Sequence, residues 1–195
     1  MVETTPLPRR TKPDFVEYGA LNQPTSGRVE CNIVKDNRGA RLDFTLTRAR
    51  IPVTDGAGSG SYGSLKLMDL VEGAWVFGGC RQDYTAFAEG AALTTAAGDA
   101  AFEIGVGTTA IAAAANGTLG DGVNENIGQA VSLTNSSGTS AGTAVDGAKT
   151  TALNGTATAT DINLNWSGTA ATIDANSYID VTGTISVILS FLGDD

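Results

Sequence analysis

Alternation of apolar and polar residues is clearest near the end of the chain. Over residues 178–191, Ile179, Val181, Ile185, Val187, Leu189 and Phe191 share one parity, with Asp180, Thr182, Thr184, Ser186 and Ser190 on the other. A two-residue period turns one face to a core and the other to water, which predicts a half-buried β-strand. The same period runs through residues 29–33, before the turn-like Lys35-Asp36-Asn37-Arg38-Gly39, and through 42–46, which lead towards Ile51 and Val53. Residues 65–67 and 75–77 read as two further strands, separated by a turn over 69–73. Segments 84–87 and 102–106 follow, joined by an alanine-rich connection, and 131–133 and 157–166 complete the set.

About nine or ten short strands divided by turn residues predict an all-β fold, an antiparallel β-sandwich of jelly-roll-like kind. Residues 110–115 are the one place where local propensity favours helix, but they end at Asn116-Gly117. A single helical turn and a flat strand are both open there. No amphipathic segment of helix length intervenes, which argues against a parallel βαβ architecture. Residues 91–155 hold few large apolar groups and many Gly, Ala, Thr and Asn, as in long surface loops or a flat subunit contact.

Ahead of this body, residues 1–26 read as an extended N-terminal arm, leaving 27–195 as the sandwich domain. Pro6, Pro8, Pro13 and Pro24 remove backbone donors and push their neighbours into extended conformations. Arg9, Arg10 and Lys12 precede the aromatic pair Phe15 and Tyr18, and these five are the candidate partner-binding residues. An untethered terminus is the plainer reading of the same residues.

Charge sharpens the division. Residues 1–50 carry nine basic and six acidic side chains, or +3, and residues 51–195 carry three against 15, or −12, giving −9 in all. An acidic body keeps its copies apart in solution, while a basic beginning is available to an acidic partner. Only 17% of the residues are charged and 25 are glycine, a composition suited to strands and turns. No apolar run has signal-peptide character or the 18 residues of a membrane helix, so no membrane partner is expected. Cys31 alternates with Val29 and Ile33 as a small buried hydrophobe would; whether it approaches Cys80 is left open by sequence.

The chain contains no histidine, which removes the commonest general base and metal ligand. Asp83, Glu89, Glu103, Asp161 and Asp180 remain for two-carboxylate chemistry, but no spacing pairs them. Gly58-Ser59-Gly60-Ser61-Tyr62-Gly63 matches the dinucleotide pattern formally. That mechanism needs a helix next, and Ser64-Leu65-Lys66-Leu67 reads as a strand. Residues 121–126 gather oxygen ligands without the register of a calcium loop, so a plain turn is the simpler reading. N-x-S/T sequons at Asn116, Asn135, Asn154 and Asn165 would matter only in a secretory compartment. Three basic residues on an acidic protein make a poor nucleic-acid footprint. The expectation is no enzyme, no cofactor, no metal and no nucleic acid.

In the C-terminal half, Asn154-Gly-Thr-Ala-Thr-Ala-Thr-Asp-Ile-Asn-Leu-Asn-Trp166 is followed by Ile179-Asp-Val-Thr-Gly-Thr-Ile-Ser-Val187 and the ending Phe191-Leu-Gly-Asp-Asp195. Upstream stand Gly63-Ser-Leu-Lys-Leu67, Glu72-Gly-Ala-Trp-Val-Phe-Gly-Gly79 and Phe102-Glu-Ile-Gly-Val-Gly-Thr-Thr109. This order resembles the small β-rich capsid cement or decoration proteins of tailed-bacteriophage heads, over roughly residues 63–195. The arm lies outside the resemblance. The likeness implies a virion protein, made in the host cytoplasm, that binds the outer surface of the major capsid protein shell, often as a homotrimer. A receptor- or carbohydrate-binding module of head-fibre or adhesin type is the alternative, and exposed aromatic platforms would mark it.

Overall fold

The computed structural model describes residues 18–35, 39–56, 60–71, 73–89, 101–113, 119, 122–134, 139–141, 152–155, 160–169 and 177–193. Twelve strands are found among them, in two antiparallel sheets packed face to face. One sheet orders β1 (Gly19–Leu21), β5 (Ser61–Leu70), β11 (Asp161–Gly168), β7 (Ala101–Gly107) and β8 (Gly128–Thr134), with β4 (Thr54–Asp55) also on β5. The other orders β10 (Ala152–Gly155), β6 (Gly73–Glu89), β12 (Tyr178–Gly193), β3 (Ala40–Pro52) and β2 (Arg28–Lys35), with β9 (Thr139–Ala141) also on β6. The molecule is therefore a β-sandwich, and the alternation at 29–33, 42–46 and 178–191 does mark strands.

The core follows that alternation. Leu42, Phe44 and Leu46 from β3, Trp75, Phe77 and Tyr84 from β6, and Ile185 and Val187 from β12 meet Leu65, Leu67, Phe102, Ile104, Leu164 and Trp166 from the facing sheet. Phe102 and Trp166 tilt against each other with centroids 5.9 Å apart. One set of buried polar side chains bridges the two layers. The Tyr84 hydroxyl lies 3.2 Å from both Gln82 Oε1 and the Ile104 carbonyl, while Gln82 Nε2 donates to the Gln129 carbonyl at 2.9 Å. Burial pushes the Tyr84 phenol well above its ordinary range.

Several local expectations change. Segments 75–77 and 84–87 belong to one 17-residue strand, β6, which runs through Gly78 and Gly79. Its pairing with β12 slips there, between Ile188 and Leu189, so the apolar parity shifts in mid-strand and imitates a break. Residues 110–113 form neither helix nor strand, and 114–115 lie outside the described residues. The stretch after Gly60 continues directly into β5, so the glycine-rich loop has no helix to receive a pyrophosphate. Cys31 does share the inward parity of Val29 and Ile33, yet it is only half-buried because β2 is a sheet edge. Cys80 is buried, and both cysteines are free.

In the first sheet, β11 is covered by its own chain. Every residue from Ile162 to Gly168 is buried, so β11 lies covered on both faces. Leu164 and Trp166 enter the core, and Asn165 points the other way, beneath Thr109, Ile111 and Asn124. Its amide accepts from Ile111 N at 3.0 Å and donates to the carbonyls of Thr109 (2.9 Å) and Asn124 (2.7 Å). Gly107 admits Asn124, because a Cβ there would sit 2.2 Å from the Asn124 carbonyl carbon. The sequon at Asn165 is thus closed to modification.

Candidate attachment surface

The second sheet presents an open outer face. Strand register arranges it in rows across β2, β3, β12 and β6. Val34, Arg41, Ile188 and Gly79 form one row; Asn32, Asp43, Ser186 and Arg81 the next; then Glu30, Thr45, Thr184 and Asp83. Arg28 and Thr47 continue the face on one side, Thr182 and Thr85 on the other, and Arg50, Asp180 and Phe87 close it. Most of these side chains are exposed, including Ile188 at 50%.

This face carries Arg28, Arg41, Arg48, Arg50 and Arg81 against Glu30, Asp43, Asp83 and Asp180, five minus four or +1, in a chain whose net charge is −9. The basic excess of the first 50 residues therefore belongs in good part to the β2–β3 hairpin, and not to the arm alone. Alternation in β3 held that signal, since Arg41, Thr45 and Thr47 occupy its outward parity. Much of the face is internally tied. Arg41 donates to Asp43 Oδ2 at 2.8 and 3.0 Å, and Ser186 Oγ donates to Asp43 Oδ1 at 2.7 Å.

Its most distinctive corner lies where β3 bulges. Between Val181 and Gly183 the pairing of β12 with β3 shifts register, so Thr47 and Arg48 both face outward before Ala49 returns to the core. Arg48 takes a φ of 47°, a left-handed conformation that costs an L-residue free energy, and its N–H donates to Thr182 Oγ1 at 3.0 Å. Gly27, at φ 80°, lets the adjacent turn close on this bulge, since a Cβ there would lie 1.9 Å from the Arg48 carbonyl oxygen. Asp180 is 5% exposed and accepts from Arg50 Nε at 3.0 Å, Arg50 Nη2 at 3.4 Å and Arg48 Nη2 at 3.3 Å. Arg50 also stacks 3.3 Å over the Tyr178 ring. The hydrogen bond to Asp180 holds its guanidinium above the ordinary arginine range.

Of the five candidate binding residues, Arg9, Arg10, Lys12 and Phe15 lie outside the described residues. Tyr18 packs on its own body, 6.2 Å from Trp75 between centroids, with Lys35 Nζ 5.0 Å from its ring centroid. Gly19–Leu21 pair with β5, so the end of the segment read as an arm is already a strand of the sandwich. The acids considered for catalysis are dispersed. Asp161 meets Lys66 at 2.8 Å, Glu103 accepts from Leu119 N at 2.9 Å, Asp180 serves the arginine pair, and Asp83 stands exposed. The Glu89 side chain and Asp121 lie outside what is described. In the 121–126 loop, Glu125 accepts from Ala130 N at 2.7 Å, and Asn124 and Asn126 bond to Thr109 and Thr108. Their polar atoms are engaged in shaping the turn.

No protein-family model, curated protein or solved structure matches this chain.

Proposed function

We propose that this chain is a non-enzymatic virion structural protein, a capsid cement or decoration protein that binds the outer surface of a tailed-bacteriophage head. In this reading it stabilises contacts between major capsid protein subunits. The observation that supports it best is the asymmetry of the sandwich: β11 of one sheet is buried on both faces, and the other sheet offers an exposed outer face bearing five arginines on an acidic protein. The likeness of residues 63–195 to decoration proteins supplies the identity of the partner.

Size argues that the face does not act alone. Four strands about 4.8 Å apart and about eight residues long at 3.3 Å each cover roughly 500 Å². A stable interface buries about 800 Å² on each partner. The deficit falls to the arm, with Arg9, Arg10, Lys12 and Phe15 reaching further along the shell, and to repetition in a homotrimer. Binding only to assembled shells would convert attachment free energy into lattice stability. The sugar-binding alternative loses support, since Trp75 and Trp166 are both buried in the core.

Deletion of residues 1–17, which stops short of Tyr18 and β1, tests the reading. Particles lacking this protein are mixed with full-length or shortened chain and sedimented. Full-length protein should co-sediment and the shortened one should fold normally but bind weakly. Failure of the full-length chain to decorate any such particle would falsify the proposal.

A further inference from the structure

Arg48, Thr85, Phe87, Asp180 and Thr182 line a notch of about 280 Å³ at the bulged corner of the open face. We propose that this notch receives a glutamate or aspartate side chain of the protein surface on which the face docks. The inference rests on the docking reading above and names the chemistry at one point of it.

Charge is the first argument. Two guanidinium groups share the single carboxylate of Asp180, leaving one positive charge in excess. Arg50 is committed, bonded to Asp180 through two nitrogens and stacked on Tyr178. Arg48 meets Asp180 through one nitrogen only, and its side chain remains 73% exposed. Most of its donors therefore face outward, in the fork geometry that matches a carboxylate.

Backbone conformation is the second. A left-handed position normally goes to glycine or asparagine, so an arginine held there by the Thr182 hydroxyl keeps a costly conformation that aims its side chain over the notch. Shape is the third. Phe87, 37% exposed, makes one wall apolar, which suits the methylenes of an acidic side chain beside its charged end. The volume, at the lower edge of that of small-molecule sites, is ample for an acidic side chain.

The test uses the full chain, labelled with ¹⁵N, and N-acetyl-glutamate N-methylamide as probe, with its glutamine counterpart as control. Saturating amide shifts at Arg48, Thr85 and Thr182 are expected with the glutamate probe, and binding about tenfold weaker with glutamine, the loss of one charge-assisted hydrogen bond. Arg48→Gly should abolish the shifts at an unchanged or higher melting temperature, because glycine relieves the left-handed strain. Arg48→Lys keeps charge but not the fork and should bind at an intermediate level. Equal binding of both probes, or full binding by Arg48→Gly, would overturn the proposal. So would Arg48→Gly protein that loses the probe yet decorates particles as tightly as the parent. Particles that reject the parent chain would instead refute the attachment reading, with the notch still judged by the probe.

Discussion

Asp180 holds the notch together, and replacing it with asparagine should move stability and anion binding in opposite directions. The carboxylate is almost fully buried and accepts three nitrogen contacts. A hydrogen bond to a charged group contributes about 1.5–3 kcal/mol. The Arg48 contact, from a side chain 73% exposed, adds little, about 0.5 kcal/mol at most. Most of the effect then lies with Arg50, and Asp180→Asn should cost about 2 kcal/mol. At this chain length that lowers the melting temperature by about 4–8 °C. In a double-mutant cycle, Asp180→Asn and Arg50→Met should be less than additive, because they remove one interaction. The glutamate probe should meanwhile bind more tightly, since a like charge has left the site; at near-aqueous screening this is worth about 0.5–1 kcal/mol. Scanning calorimetry and the amide titration measure the two effects. A variant that melts within about 1 °C of the parent would refute the reasoning. Weaker probe binding in a folded variant would refute the electrostatic half.

Three further outcomes follow from other regions. Asn165→Ala removes three hydrogen bonds, to Ile111, Thr109 and Asn124, so about 3 kcal/mol of stability should be lost, and the Ile111 amide should exchange faster by mass spectrometry. Unchanged Ile111 protection would show that Ile111 is held otherwise. At the β1–β5–β11 edge, hydrogen bonds from Asn22 and Lys66 hold the Asp69 carboxyl below its usual value, while Asp161 and Asp69 raise Lys66. The Asp69 contribution is present above its unfolded pKa, about 3.9, and is lost as pH falls through the folded value; that of Lys66 is present below about 10.4 and is lost as pH rises through its own. Protection of β1 by hydrogen exchange should therefore be flat between these limits and decline beyond both. Burial pushes the Cys31 and Cys80 thiols up to about 12, with Asp43 adding to the effect at Cys31. A disulfide reagent at pH 8 should label neither in the native protein and both in urea, and fast native labelling of half-buried Cys31 would contradict that.

Several features were legible in residue order because they are local. Ile179, Val181, Ile185 and Val187 alternate with threonine and serine, and that period alone determines a strand with one dry face. Absence of any long amphipathic segment, together with many turn residues, left two packed sheets as the way to bury those faces. Other properties depended on which strands become neighbours, and alternation carries no such information. Asn165 looks like an outward polar residue until Thr109, Ile111 and Asn124 close over it and β11 is buried on both faces. Trp75 and Tyr84 look like members of separate strands because β6 slips against β12 at its paired glycines. Arg48 and Asp180 lie 132 residues apart, and only the β3–β12 pairing with its bulge brings them within 3.3 Å. A period of two determined each strand's own faces; the partners that set charge, cover and shape came from long-range pairing, whose register is decided by the packed core as a whole.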